Sequence, residues 1–162
     1  MQAFSLTGKT ILITGASSGI GRAMAIACAE AGALLVISGR NKERLSETLQ
    51  LLHGEGHSMC VADLTNEDEL AALVDFVPKL DGFVSNAGIA NPLMLQFVEK
   101  QDVEETLNTN AISVIHLTRL LLQEKKLKKD ASLVFTSSIN GNRCASIGST
   151  LYAASKAMLQ VL

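Results

Sequence analysis

The chain has 162 residues, 48% of them hydrophobic and 19% charged, with a formal net charge of −2. That much apolar material suits one cored domain over 1–162 and excludes a disordered chain. The balance of charge argues against a nucleic-acid surface, which would need a basic face, and no run reaches the roughly 20 apolar residues of a membrane span.

Lys9-Thr10-Ile11-Leu12-Ile13 is β-branched and apolar, which predicts a buried strand over 9–14. Thr14-Gly15-Ala16-Ser17-Ser18-Gly19-Ile20-Gly21 follows as a turn. Glycine tolerates φ > 0 and lets a ligand approach the backbone. The next helix, 19–31, would place Ile20, Ala23, Met24, Ala27, Cys28 and Ala31 on an apolar face. Its N-terminus would offer unpaired N–H groups and a positive dipole end to a pyrophosphate. The spacing is Gly-xxx-Gly-x-Gly, not the Gly-x-Gly-xx-Gly of many dinucleotide turns.

A second strand is predicted over 33–38. Gly39 then stands where an NAD site would carry an acid, and Arg40 follows. A carboxylate there would repel a 2′-phosphate, whereas a guanidinium pairs with it. NADP(H) is therefore expected over NAD(H), the alternative being a surface Arg40 that opens the next helix.

Helix 42–53 would bury Leu45, Leu49 and Leu52, and a third strand would span 57–62. Helix 66–77 would bury Leu70, Leu73, Val74 and Val77, opened by Thr65 and Asp68 in capping-box spacing and stopped by Pro78. A fourth strand, 80–85, precedes a long helix, 102–126. Its Leu107, Val114, Leu117 and Leu121 cover more than one core stripe, and surplus apolar surface can make a subunit contact. Lys125-Lys126-Leu127-Lys128-Lys129 would oppose the dipole at that helix's end. The fifth strand is predicted over 131–137 and a last helix begins near 151. This alternation implies an α/β fold: a doubly wound parallel sheet of Rossmann type, in three layers.

Tyr152-Ala153-Ala154-Ser155-Lys156 sets a phenol and an ammonium at i and i+4, on one helix face. An ammonium beside a phenol favours the phenolate. Such a phenol can protonate a carbonyl oxygen or deprotonate an alcohol. The chain has a single tyrosine, so Tyr152 is the one candidate. Ser137 and Ser138 fall at the carboxyl end of the fifth strand, where open parallel sheets bind ligands. Either hydroxyl could bond a substrate oxygen.

Cys28, Cys60 and Cys144 lack paired spacing and read as reduced, buried thiols of a cytoplasmic protein. His53, His57 and His116 show no metal-ligand spacing.

From Thr7 onward the chain resembles the short-chain dehydrogenase/reductase family, classical subgroup, and is similar to its 3-oxoacyl-acyl-carrier-protein reductases. Gly15, Ser17, Ser18, Gly19, Ile20 and Gly21 match the family's cofactor turn. Asp63 and Leu64 match its adenine contact, and Asn86-Ala87-Gly88 matches the block after the fourth strand. Ser85 replaces the first asparagine of the family's Asn-Asn-Ala-Gly, and the interval from Ser138 to Tyr152 is slightly long, which leaves the Ser137/Ser138 choice open.

The resemblance implies that Tyr152 is the acid/base. It implies that Lys156 lowers the phenol's pKa and holds the nicotinamide ribose. Ser138 would steady the substrate oxygen, and Asn110 would support a water in a proton relay. It also implies a homodimer or homotetramer. The family's chain continues beyond Leu162 with two more strands that cover the fifth and build most of the substrate pocket. A fragment with weak turnover is expected. The sequence thus points to an NADP(H)-dependent oxidoreductase interconverting a ketone and a secondary alcohol, the small-molecule substrate being free or carrier-linked. A non-catalytic NADP(H)-binding module, or an isomerase or dehydratase on the same fold, is the alternative.

Overall fold

The structure, a computed structural model, describes residues 4–142 and 146–162. Its strands are β1 (Thr10–Thr14), β2 (Leu34–Gly39), β3 (Ser58–Val61), β4 (Leu80–Ser85) and β5 (Leu127–Phe135). All neighbouring pairs are parallel, in the order β3-β2-β1-β4-β5. The winding reverses between β1 and β4, which opens a crevice outside their carboxyl ends.

The helices are α1 (Gly19–Glu30), α2 (Lys42–Gln50), α3 (Glu67–Phe76), α4 (Lys100–Leu107), α5 (Ser113–Gln123) and α6 (Thr150–Met158). Residues of β1 alternate between two cores, as the two-residue period of a strand demands. Leu12 joins Val36, Phe83, Leu73, Leu117 and Leu121 under α3 and α5. Ile11 and Ile13 join Leu35, Ile37, Ala25 and Leu45 under α1 and α2. The expected doubly wound, three-layer α/β fold is the observed one.

Five local expectations need correction. First, α1 buries Gly21, Ala25 and Ala29, not a face built on Ile20, Ala23 and Ala27. Ile20 is 64% exposed. Alanine on every side gives the pattern little contrast, and the smallest residues face the sheet because they permit the closest approach.

Second, the long helix is broken. A π turn at Asn108–Ile112 separates α4 from α5, and α5 ends at Gln123. Third, β5 starts at Leu127, four residues earlier than predicted, because Leu80 pairs with Leu127 across a bulge. Its charged opening had hidden it.

Fourth, the basic run does not serve its own helix's dipole. Lys126 Nζ donates to the carbonyls of Asp75 (3.1 Å) and Val77 (2.9 Å) at the end of α3, and Lys128 Nζ donates to Asp81 (2.6 Å). Fifth, Asn66 caps α3, accepting from the Asp68 and Glu69 amides, while Thr65 bonds Asp63 instead.

Cys28 and Cys60 are half-buried rather than enclosed, and Cys144 lies outside the described residues. Burial still pushes both thiols up, Cys60 with help from the negative charge of Glu69. His57 is internal bracing: its Nδ1 accepts from the Leu35 amide (3.1 Å), and its Nε2 lies 3.0 Å from the His53 carbonyl. Among the described residues no cluster suits a metal ion, and no helix is long and apolar enough to cross a membrane.

Candidate active site

The turn from β1 into α1 needs its glycines for two different reasons. Gly15 (φ +68°) and Gly19 (φ +55°) occupy the left-handed region. Gly21 is required by closeness: a Cβ there would overlap the Gly15 carbonyl oxygen. A Cβ on Gly19 would meet nothing within 4 Å, so space lies open over the start of α1. The turn is locked to the segment after β4. Thr14 Oγ1 accepts from the amides of Asn86 (3.2 Å) and Ala87 (3.4 Å), and Asn86 Nδ2 donates to the Gly15 carbonyl (3.4 Å).

Two hollows meet at this turn. The first is lined by Ser17, Gly39, Arg40, Asp63 and Leu64 beside Gly15, Ser18, Ala87 and Gly88. The second is lined by Gly19, Ile20, Asn86, Thr136, Tyr152 and Lys156 beside the same Gly15, Ser18, Ala87 and Gly88. They are therefore two ends of one crevice.

At the first end, Arg40 Nη1 lies 3.9 Å from Asp63 Oδ2. Partial burial works against the Asp63 carboxylate. Bonds from the Thr65 hydroxyl (2.7 Å) and amide (2.9 Å), with the Arg40 charge, outweigh that and hold its pKa below the usual value. Gly39 leaves its place on the wall to Ser17, whose hydroxyl sits where a Cβ would be.

At the second end, Lys156 is only 3% exposed. Its Nζ donates to the Thr136 carbonyl at 2.9 Å, and burial lowers its pKa. Tyr152 lines the same hollow, one turn earlier on α6. Asn110 stands behind this wall, fully buried, in the π turn. The extra residue of a π turn re-aims side chains, and such turns recur at functional sites. Asn110 Oδ1 accepts from the Ile89 amide (2.7 Å), and Nδ2 donates to the Ile89 carbonyl (2.9 Å) and Ser155 Oγ (2.9 Å). Ser155 Oγ donates in turn to the Tyr152 carbonyl at 2.7 Å. Gly88 fits between the two groups, since a Cβ would come within 3.1 Å of Asn110 Oδ1 and 3.2 Å of Lys156 Nζ.

Ser138 is not brought into this crevice. It lines an adjoining outer hollow with Ile139 and Leu159, and its Oγ accepts from the Asn140 amide. Ser137 is separated from it by function: its hydroxyl donates to the Lys156 carbonyl (3.0 Å) and accepts from Gln160 (3.3 Å). Ile89 and Thr136 carry no sequence signal because they act through their backbone, whereas Thr14 opens the glycine motif and acts through its hydroxyl. Ser155 carried a signal, a small polar residue one turn after the phenol.

The strand order, the switch-point crevice and the glycine turn at a helix N-terminus define a dinucleotide-binding α/β protein. Residues 9–162 match the short chain dehydrogenase family, and the chain belongs to it. It is 34% identical over 154 residues to the 3-oxoacyl-acyl-carrier-protein reductase FabG of Rickettsia felis, covering 95% of this chain and 63% of that protein. It is 35% identical over 159 residues to 7alpha-hydroxysteroid dehydrogenase of Escherichia coli K12, covering 94% and 61%. The chain thus spans less than two thirds of the length of these curated relatives. Among solved structures, a short chain dehydrogenase from Mycobacterium smegmatis superposes with TM-score 0.90 at 30% identity, covering 98% of this chain and 70% of that one. A short chain dehydrogenase from Escherichia coli CFT073, complexed with NADPH, gives TM-score 0.87 at 30% identity, with 98% and 70% covered.

Proposed function

We propose that the protein is an NADP(H)-dependent oxidoreductase that interconverts a ketone and a secondary alcohol, with Tyr152 as acid/base. One observation carries this reading: a single crevice joins Arg40 and Asp63 to Tyr152 and Lys156 through the glycine turn. Arg40, with no acid at Gly39, supports a 2′-phosphate, in line with the NADPH held by a structural relative. The names of the two curated relatives, an oxoacyl reductase and a hydroxysteroid dehydrogenase, support a ketone/alcohol couple.

In this reading the nicotinamide supplies or accepts the hydride. Ser17, Ser18 and the start of α1 bind the pyrophosphate through backbone amides. Asp63 and Leu64 flank the adenine, and Asn86, Ala87 and Gly88 form the opposite wall. Tyr152 exchanges a proton with the substrate oxygen. Lys156 sets a cation beside the phenol and reaches the ribose. Ser138, which lines the outer hollow and not the crevice, would have to turn its hydroxyl from the Asn140 amide to steady the substrate oxygen. Both polar atoms of Asn110 are engaged by Ile89 and Ser155, which supports a positioning role behind Tyr152. The exposed Ile112, Ile115 and Leu122 near or on α5 support a homodimer or homotetramer, and the half-buried thiols suit a reducing cytoplasm.

The separate hollow of Ser138 favours a second reading, a module that binds NADP(H) without turning over. Titration of NADPH fluorescence, followed by a ketone panel, tests both. Binding with ketone-dependent oxidation of NADPH supports the enzyme. Binding with no oxidation of NADPH by any ketone supports the module, and no binding overturns both.

A further inference from the structure

We propose that Arg22 and Thr48 are positioning residues for dinucleotide binding: they draw two carbonyls of the glycine turn toward α2 and so aim the following amides into the crevice. The inference rests on the reading of that crevice as a dinucleotide site. Arg22 stands in the first turn of α1, yet its guanidinium reaches across to α2. Nη2 donates to the Ser17 carbonyl at 2.8 Å, to the Arg44 carbonyl at 3.1 Å and to Glu47 Oε2 at 3.1 Å. Nε donates to Thr48 Oγ1 at 2.9 Å. Thr48 is fully buried, and its hydroxyl lies 2.9 Å from the Ala16 carbonyl and 3.0 Å from that of Arg44. Arg44 already accepts from Arg22, so the Thr48 hydrogen is best used on Ala16.

A trans peptide points its C=O and its N–H in opposite directions. With the Ala16 and Ser17 carbonyls turned toward α2, the N–H groups of Ser17 and Ser18 turn away from it. Both residues line the crevice. Neither amide has a protein acceptor among the described residues, whereas the Ala16 amide just before them is spent on the Ser38 carbonyl (3.0 Å). Two free donors beside a helix N-terminus form a cradle for phosphate oxygens. Reversed peptides would present carbonyl oxygens instead, which repel the same ligand. The Arg22 charge is itself turned toward Glu47, 3.1 Å away, so it acts through the turn rather than on the phosphate. Ser18 has no side-chain bond capping α1, which leaves the backbone as the main donor set there.

The test compares NADPH with adenosine 2′-phosphate, which carries the Arg40-facing phosphate but no pyrophosphate. Arg22→Met and Thr48→Val should each weaken NADPH about tenfold or more, the scale of one or two lost hydrogen bonds to an oriented group. Adenosine 2′-phosphate should bind both variants within about twofold of the parent, since no pyrophosphate bond is at stake. Thr48→Ser, which keeps the hydroxyl, should restore NADPH binding. The amide signals of Ser17 and Ser18 should shift when NADPH is added to the parent and lose that response in Thr48→Val. If Arg22→Met fails to fold, the near-isosteric Thr48→Val still decides. Folded variants that bind NADPH like the parent overturn the proposal, as does an equal loss of both ligands. A parent protein that binds no NADPH sinks the dinucleotide reading itself and the clamp with it, a different outcome from a binding parent with unaffected variants.

Discussion

The two walls of the crevice are built differently. Under the glycine turn, the polar groups are tied down on both sides: Thr14 and Asn86 fasten it to the β4 segment, and Arg22 and Thr48 fasten it to α2. The wall bearing Tyr152 is braced by Lys156 on Thr136, by the Asn110–Ser155 chain and by Ser137 on the Lys156 carbonyl. Its outer side is open. Among the described residues β5 pairs with β4 alone, Leu133 and Val134 are 37% and 49% exposed, and Ile139 beside Ser138 is 73% exposed. The difference teaches that the glycine turn is fixed by side chains from both of its neighbours, while the wall of the phenol keeps an exposed outer face.

Substitutions at each wall should separate the two. Tyr152→Phe removes the phenol proposed as proton carrier and leaves the turn alone. Its ketone-reduction rate should fall about 10²- to 10⁴-fold, the usual worth of a positioned acid. NADPH affinity should stay within about threefold, because the lost hydroxyl is not a pyrophosphate donor. Steady-state rates and a fluorescence titration read these independently, and a parallel collapse of affinity would show that the walls are not separable. Gly21→Ala should give the opposite signature. Its Cβ would overlap the Gly15 carbonyl oxygen and press within 2.6 Å of Asn86 Nδ2. Forcing a methyl into so close a contact costs roughly 1–3 kcal/mol of stability. Thermal melting should record that loss while NADPH binding drops sharply.

A third perturbation leaves both walls intact. Asp81 lies at the amino ends of the strands, away from the crevice. It accepts from Lys128 Nζ (2.6 Å) and the Thr10 amide (2.9 Å), with Lys9 at 3.6 Å. Those bonds, the Lys128 one first, pull its pKa from 3.8 to about 2. A carboxyl depressed in the folded state contributes stability that is complete above its unfolded pKa and is lost as pH falls through the folded one. The contribution should therefore fade between about pH 4 and pH 2. In Asp81→Asn this part of the acid transition should flatten, with NADPH binding at neutral pH unchanged. A variant whose acid unfolding tracks the parent's would refute the assignment.

Much of this was visible in the order of residues, for reasons that are local. A β-branched run, three glycines and an alanine-rich helix announce the turn, and the i, i+4 pair announces the phenol and its amine. What stayed hidden depends on distance or on register. Arg22 and Thr48 are 26 residues apart and meet only once α2 packs beside α1. The π turn adds one residue to a helix whose apolar spacing runs on either side of it, so periodicity reads straight through Asn110. Lys128, Lys129 and Asp130 look like solvated loop because β5 is exposed along most of its length. Ser137 and Ser138 look alike in the sequence, and their contacts differ only once α6 lies across them and Ser137 donates to the Lys156 carbonyl.

The smallest expected effect sits where the open wall begins. Lys125 has φ +52°, the one non-glycine residue with a positive φ among those described. It follows the end of α5, where its own amide bonds the Leu122 carbonyl (3.1 Å) and the Lys126 amide bonds that of Leu121 (2.8 Å). That double closure is a Schellman ending, which favours glycine at the left-handed position. A side chain there costs about 1–2 kcal/mol. Glycine removes that strain but loses more chain entropy on folding, by roughly 0.5–1 kcal/mol. Lys125→Gly should thus stabilise the protein by less than about 1 kcal/mol, which at this size raises the melting temperature by no more than about 4 °C. NADPH affinity should not change, because the turn at 125 joins α5 to the far end of β5. A lower melting temperature would mean that the lysine's own contacts outweigh the backbone strain, and that the start of β5 is held by its side chains rather than by the turn.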